Sequence, residues 1–382
     1  MGFKDLNLRV LAVAIMMVKP SLSIPPRLMR NSTELPSKFA EFSETAEIGW
    51  GSPTANAGWR IAPALNIIVN GVRRLATIDT GSTGALMDKS FLPSFDPKKA
   101  EEGHVFYSSS KILEEGHWVP DIEIEYLGPK GVRVMSKTPV LAVERTIKCP
   151  QFNQTLHGHR CPKNATMGII KRALQQPYFG IGFGRDRDTS SQATPDRNPM
   201  INIVSINNVT IDRAKYHPGY IITNQALIVG LTSNNTQDFV TMDLERGPNW
   251  EKDQRAWAGP KVSVALNDET YANGSQGSLL VDTGIAQMYL EAGRQFQPGD
   301  EIRFAIPDEK NPVATYTITN SGVQRNVMSP SKILNSTSLT PYVNTGRNFL
   351  NKFDVYFNPT EGQYGLRFKG TGKEDFVKFY HP

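Results

Sequence analysis

Cysteine is nearly absent: 382 residues hold only Cys149 and Cys161. A scaffold stapled by several disulfides is thereby excluded, as is a zinc centre built from paired C-x-x-C motifs. After the first twenty residues no apolar run is long enough to cross a bilayer as a helix. Charge of one sign is not in excess either, since 42 Lys and Arg stand against 37 Asp and Glu, for a formal net charge of +5. These charges are scattered and form no basic stripe, so nucleic-acid binding has no footprint. Gly (31) and Pro (26) recur without a period, which excludes collagen. The chain has no Gly-x-Ser-x-Gly elbow, no His-Glu-x-x-His and no phosphate loop, and Gly180, Gly182 and Gly184 alternate without a dinucleotide-binding spacing.

What is present begins with a secretory pattern. Lys4 and Arg9 flank the start, Val10 to Val18 form a short apolar run, and Ser21-Leu22-Ser23 is a small-x-small cleavage site, so residues 1–23 read as a signal peptide. Secretion is also the compartment in which seven Asn-x-Ser/Thr sequons are usable: Asn31, Asn153, Asn164, Asn208, Asn234, Asn273 and Asn335. In an oxidising compartment Cys149 and Cys161 are expected to close a loop by one disulfide. His157 and His159 lie inside that loop, so a Cys/His metal site is the rival reading.

With 39% hydrophobic residues the chain can bury a large core, and its patterning is that of strands. Leu65, Ile67 and Val69 alternate up to Asn70-Gly71, the strongest short hairpin signal, and Val72 to Ile78 returns toward Asp79. Ile122, Ile124 and Tyr126 alternate before the turn Gly128-Pro129-Lys130-Gly131, followed by Val132 and Val134. Val262, Val264 and Leu266 alternate as well, and Phe353, Val355 and Phe357 pair with Gln363 to Phe368 as a terminal hairpin. Helical pattern is confined to short pieces such as Met167 to Gln175.

One feature is repeated. Leu75-Ala76-Thr77-Ile78-Asp79-Thr80-Gly81-Ser82-Thr83-Gly84 and Leu279-Leu280-Val281-Asp282-Thr283-Gly284-Ile285 each carry Asp-Thr-Gly at the end of an apolar strand. A glycine-bearing hydrophobic segment follows each, Phe179 to Gly184 and Val343 to Leu350. With average residue usage one Asp-Thr-Gly arises by chance in roughly one chain of this size in fifteen. Two of them after apolar strands point to duplication. A strand-terminal Asp next to Gly presents its carboxylate on a tight loop with room for a second backbone and a water. If two such loops meet, the carboxyls share a proton, one acting as general base toward water and the other as general acid.

Asp79-Thr80-Gly81-Ser82-Thr83 and Asp282-Thr283-Gly284 resemble the two active-site loops of pepsin-like aspartic peptidases. Phe179 to Gly184 resembles the hydrophobic-hydrophobic-Gly strand of that family's first lobe, and Gly346 to Leu366 its C-terminal stretch. The resemblance, which runs with gaps from about Pro63 to Phe368, implies a mostly β, bilobal protein with a substrate cleft between its lobes. It implies catalytic Asp79 and Asp282, and supporting Thr80, Gly81, Ser82, Thr283 and Gly284. It implies no cofactor and no metal. The partner would be a peptide or protein substrate, with no nucleic acid, no membrane anchor and a monomeric state. Tyr107-Ser108-Ser109-Ser110 is the candidate for the flap over the cleft, with Trp118 either in the flap or simply packed.

On this reading residues 24–62 form an N-terminal extension, either a short pro-segment or an added strand. Residues 63–218 are the N-terminal lobe and 219–382 the C-terminal lobe. The expected activity is that of a secreted, extracellular endopeptidase. The alternative is a catalytically impaired binding protein on the same scaffold. It is suggested by Ile285, which stands where the family usually has a Ser or Thr hydroxyl for the second aspartate, and by the flap candidate around Tyr107, which lacks most of the family's glycines.

Overall fold

The two-residue turn at Asn70-Gly71 has positive φ at both positions, 49° and 73°, as a tight hairpin with right-twisted strands requires. It joins the strands Ala64–Val69 and Val72–Asp79, whose register runs from Val69 opposite Val72 to Ala64 opposite Thr77. Their inward-facing Leu65, Ile67, Ala76 and Ile78 are fully buried, which fixes the register, because a slip by one residue would turn this set to solvent. The computed structural model describes residues 38–52, 59–163, 169–170, 174–185, 192–267, 276–293, 297–306, 312–319, 322–323, 330–335 and 340–369. The signal-peptide reading of residues 1–23 and the sequons at Asn31, Asn164 and Asn273 lie outside them.

The protein is mostly β, and among the described residues helix is limited to the single turn Gln154–His157 and a few 3-10 turns. Among the described residues the strands form three sheets of ten, eight and six. In the ten-stranded sheet, Val72–Asp79 runs parallel to Tyr178–Ile181, which lies antiparallel to Thr83–Asp88. The strand bearing Phe179-Gly180 is thus inserted between the two arms of the first Asp-Thr-Gly loop. The eight-stranded sheet repeats this arrangement. Gln276–Leu280 runs parallel to Tyr342–Asn344, which lies antiparallel to Met288–Ala292. The repeated sequence is a repeated three-strand construction.

Glycine makes that insertion possible. A Cβ on Gly180 would stand 2.7 Å from the Ser82 carbonyl carbon, and one on Gly182 would stand 2.2 Å from the Thr80 oxygen. Real side chains do not approach backbone so closely.

Two 16-residue strands, Ile112–Leu127 and Arg133–Lys148, form the long hairpin expected around Gly128 to Gly131. Glu101–Tyr107 pairs with the first of them, with Tyr107 opposite Ile112, so the Tyr107 to Lys111 segment is a hairpin tip. In the six-stranded antiparallel sheet, Ala46–Gly49 is an edge strand on Ala226–Val229. Part of the N-terminal extension is therefore an added strand. The terminal hairpin Phe353–Asn358 with Gln363–Phe368 is as expected.

One expectation needs adjustment, and the expected disulfide is formed. The short helix anticipated over Met167 to Gln175 is not formed at Ile169–Ile170, which pair as a strand with Ile147 and Thr146. Two successive β-branched residues suit a sheet edge better than a helical turn; Met167 lies outside the described residues. Cys149 and Cys161 are joined by a disulfide, which removes both as metal ligands. His159 instead meets His104, Nδ1 to Nδ1 at 2.9 Å, and His157 Nδ1 accepts from the Asn153 amide. No cluster of His, Cys, Asp and Glu able to hold a metal occurs among the described residues. No helix among them is long and apolar enough to cross a membrane.

Candidate active site

The two Asp-Thr-Gly loops meet. Thr80 and Thr283 exchange hydrogen bonds: each backbone N–H donates to the other's hydroxyl at 3.0 Å. The Thr80 hydroxyl donates onward to the Val281 carbonyl at 2.5 Å, and that of Thr283 to the Ile78 carbonyl at 2.7 Å. Both threonines are buried, so these four bonds lie in a low-dielectric junction and hold the loops in one geometry. Gly81 and Gly284 let the loops close. A Cβ on Gly81 would stand 2.4 Å from the Asp282 carboxyl carbon, and one on Gly284 would stand 2.7 Å from Asp79 Oδ1.

Each carboxyl is oriented by its own loop. Asp79 Oδ1 accepts from the Gly81 amide at 2.7 Å and Oδ2 from the Ser82 hydroxyl at 2.6 Å. Asp282 Oδ1 accepts from the Gly284 amide at 2.7 Å. Its other oxygen accepts not from position 285 but from Asn344 Nδ2, also at 2.7 Å. The expectation that Ile285 leaves this oxygen without a donor is thus corrected. The inserted strand Tyr342–Asn344 supplies the bond, and Gly346 N–H fixes Asn344 by donating to its Oδ1 at 3.0 Å. Ile285 lines the cavity beside the aspartates.

Asn344 has a counterpart in the first repeat. Asn344 lies opposite Leu280, two residues before Asp282, and Tyr178 lies opposite Thr77, two residues before Asp79. The Tyr178 phenol sits close to its aspartate, and burial first, then the Asp79 charge, push it far up. Sequence reading missed both residues. Aligning the two repeats by their inserted strands, and not only by Asp-Thr-Gly, would have exposed them.

Asp79 and Asp282 are 3% and 8% exposed. Burial, then the negative charge of Asp79, raises the Asp282 carboxyl to about 7, against the lowering effect of Asn344 and of the Arg185 charge. Two acids in hydrogen-bond contact cannot both ionise cheaply, so the pair holds one proton over a broad range of pH.

The pair opens into a cavity of about 730 Å³, walled on one side by Phe106 to Ile112 and on the other by Tyr289, Glu291 and Tyr342. Tyr107 stands on that wall. Its ring meets Tyr178 edge-on at 5.6 Å, and it lines the cavity together with Ser82. Trp118 is not at the tip of this hairpin. It is buried lower on the strand, against Gly84 and Gly103, with its indole N–H on Gln192 Oε1 at 3.0 Å.

The structure therefore brings together Asp79, Thr80, Gly81, Ser82, Asp282, Thr283, Gly284 and Tyr107. The disulfide and the sequons at Asn153, Asn208 and Asn234 stand apart from the cavity lining, all three asparagines being exposed, and Asn335 ends the strand Pro330–Asn335. No protein-family model matches the chain, and no curated protein matches it.

Proposed function

We propose that the chain is a secreted aspartic endopeptidase of the pepsin-like kind, with residues 63–218 and 219–382 as its lobes and the hairpin tip around Tyr107 as its flap. The observation that carries this reading is the pair of buried aspartates held together by reciprocal threonine bonds at the floor of a large cavity. A water between the carboxyls would attack the peptide carbonyl. Because Asp282 retains its proton, Asp79 is the base that takes a proton from the water, while Asp282 donates to the carbonyl oxygen. Asp79 then returns its proton to the leaving amine, and a hydroxyl of the tetrahedral intermediate reprotonates Asp282. The peptide would lie extended in the cleft, bound largely through its main chain.

The alternative of an impaired binding protein drew on Ile285 and on the glycine-poor flap. With Asn344 bonding Asp282 in place of the missing hydroxyl, the part that rests on Ile285 lapses. The direct test is digestion of a denatured protein between about pH 3 and pH 6, with and without a transition-state-mimicking inhibitor of aspartic peptidases. Inhibitable cleavage is expected, and no cleavage by the folded, glycosylated protein would exclude the proposal.

Asn344 gives a second test. Its amide favours the ionised form of Asp282, so Asn344→Leu should raise the carboxyl further. Asp282 acts as an acid, and its loss of a proton ends activity at the alkaline side. The alkaline limb of kcat/KM should therefore move up by about one pH unit, the worth of one hydrogen bond to a charged group. A downward move would refute the assignment of Asp282 as the proton donor.

A further inference from the structure

Glu114 and Glu115 are neighbours on the strand Ile112–Leu127, and both are buried, at 4% and 0% exposure. Their surroundings differ. Glu115 has its complement of partners: Arg145 Nε at 2.8 Å, the Cys161 amide at 2.6 Å and Arg160 at 3.6 Å. Glu114 turns to the opposite face, where it lines the cavity that holds Asp79 and Asp282. Its one protein donor is the Thr146 hydroxyl, on Oε2 at 2.5 Å, and no ion pair reaches it among the described residues. Burial raises this carboxyl to about 7, with the Thr146 bond opposing it.

A buried carboxyl with a single neutral donor is an incomplete site, because removing an acid from water is repaid only by a cation or several donors. The open side of Glu114 is the cavity. We propose that Glu114 anchors a subsite for one positively charged side chain, lysine or arginine, of an extended peptide bound in this cavity. The inference rests on the cavity being the peptide site. Phe106, Ile112 and Leu174 line the same cavity and suit the apolar stem of such a side chain, and Tyr107, whose phenol feels the Glu114 charge, lines it too. A metal ion is a poorer fit, since one carboxylate and one hydroxyl fall short of a coordination shell and the described residues contain no metal-holding cluster. Lys111 and Arg185 also border the cavity, so the preference is for one cation at one position and not for a polybasic peptide.

The experiment uses peptide pairs that differ only by lysine or norleucine at one position, scanned along the sequence. Each pair is made in a cleavable form and in a form with a reduced, uncleavable central bond. At about pH 6, where the free carboxyl is within reach of ionisation by a bound cation, one position should show a lysine preference of about tenfold or more, in kcat/KM and in Kd alike. Glu114→Gln keeps the size and the bond to Thr146, and should bring that ratio close to one. Glu114→Asp, which withdraws the charge by one methylene, should leave an intermediate ratio. A wild-type ratio near one at every position, or a ratio that Glu114→Gln leaves intact, overturns the proposal even if cleavage proceeds normally. A Glu114-dependent lysine preference in the binding of the uncleavable peptides, without cleavage of their partners, would keep the subsite and discard the peptidase reading.

Discussion

Asp79→Asn and Asp282→Asn are each expected to abolish peptide cleavage while leaving a folded protein, with kcat lowered by at least about 10²–10⁴-fold, the range that acid–base catalysis supplies. One carboxyl cannot take a proton from the water and also give one to the carbonyl oxygen in the same step. The two substitutions are not structurally equivalent. In Asp79→Asn the new amide can face Ser82, whose hydroxyl accepts as readily as it donates, and the remaining oxygen still accepts from Gly81 N–H. In Asp282→Asn both carboxyl oxygens now face N–H donors, from Gly284 and Asn344. One donor must meet another, at a cost of about 1–3 kcal/mol. Loss of turnover should thus be shared by both variants, and loss of stability should fall mainly on Asp282→Asn at low pH. Turnover by single-turnover kinetics and unfolding by urea separate the two effects. Substantial cleavage by either folded variant would sink the dyad.

The chain announced its two Asp-Thr-Gly loops because glycine and a strand-terminal acid are local requirements: Gly81 and Gly284 permit a contact that no other residue tolerates. The hairpins at Asn70-Gly71 and Gly128 to Gly131 were legible for the same reason, since positive φ selects residue types at the turn itself. Contacts made across sheets leave no such mark. Asn344 reaches Asp282 because Tyr342–Asn344 is threaded between the strands flanking the second loop, and nothing in the residues around Ile285 foretells that thread. Glu114 and Glu115 read in sequence as an ordinary charged pair on a strand. Only the fold shows that one is enclosed by arginines and the other by a cavity. The expected helix near Ile169 failed on a short apolar run, where a sheet edge took the segment.

The site's acids also set how stability responds to pH. The Asp282 carboxyl is near 3.8 in the unfolded chain and is raised to about 7 in the folded protein. Below the lower value both states hold the proton and no penalty exists. Between the two the unfolded chain has released a proton that the folded protein retains, so stability falls as pH rises, and near the upper value the penalty is complete. Each tenfold change in proton affinity is worth about 1.4 kcal/mol, and with allowance for the sharing of charge with Asp79 the total is about 2–4 kcal/mol. Glu114 adds a penalty of the same sign over a similar window, since burial raises it also to about 7. His104 works in the opposite sense. Burial, with the charges of His159 and Arg197, lowers it to about 4, so the folded protein resists a proton that the unfolded chain accepts, and stability falls as pH drops. The wild-type curve mixes these slopes, but differences between variants separate them. Asp282→Asn cannot titrate, so whatever its offset from the donor conflict, its stability relative to wild type should climb by about 2–4 kcal/mol between about pH 4 and pH 7. Glu114→Gln should climb by a comparable amount over the same interval. A difference that stays level with pH would mean that Asp282 ionises freely in the folded protein, and the proton assigned to it in catalysis would have to reside elsewhere.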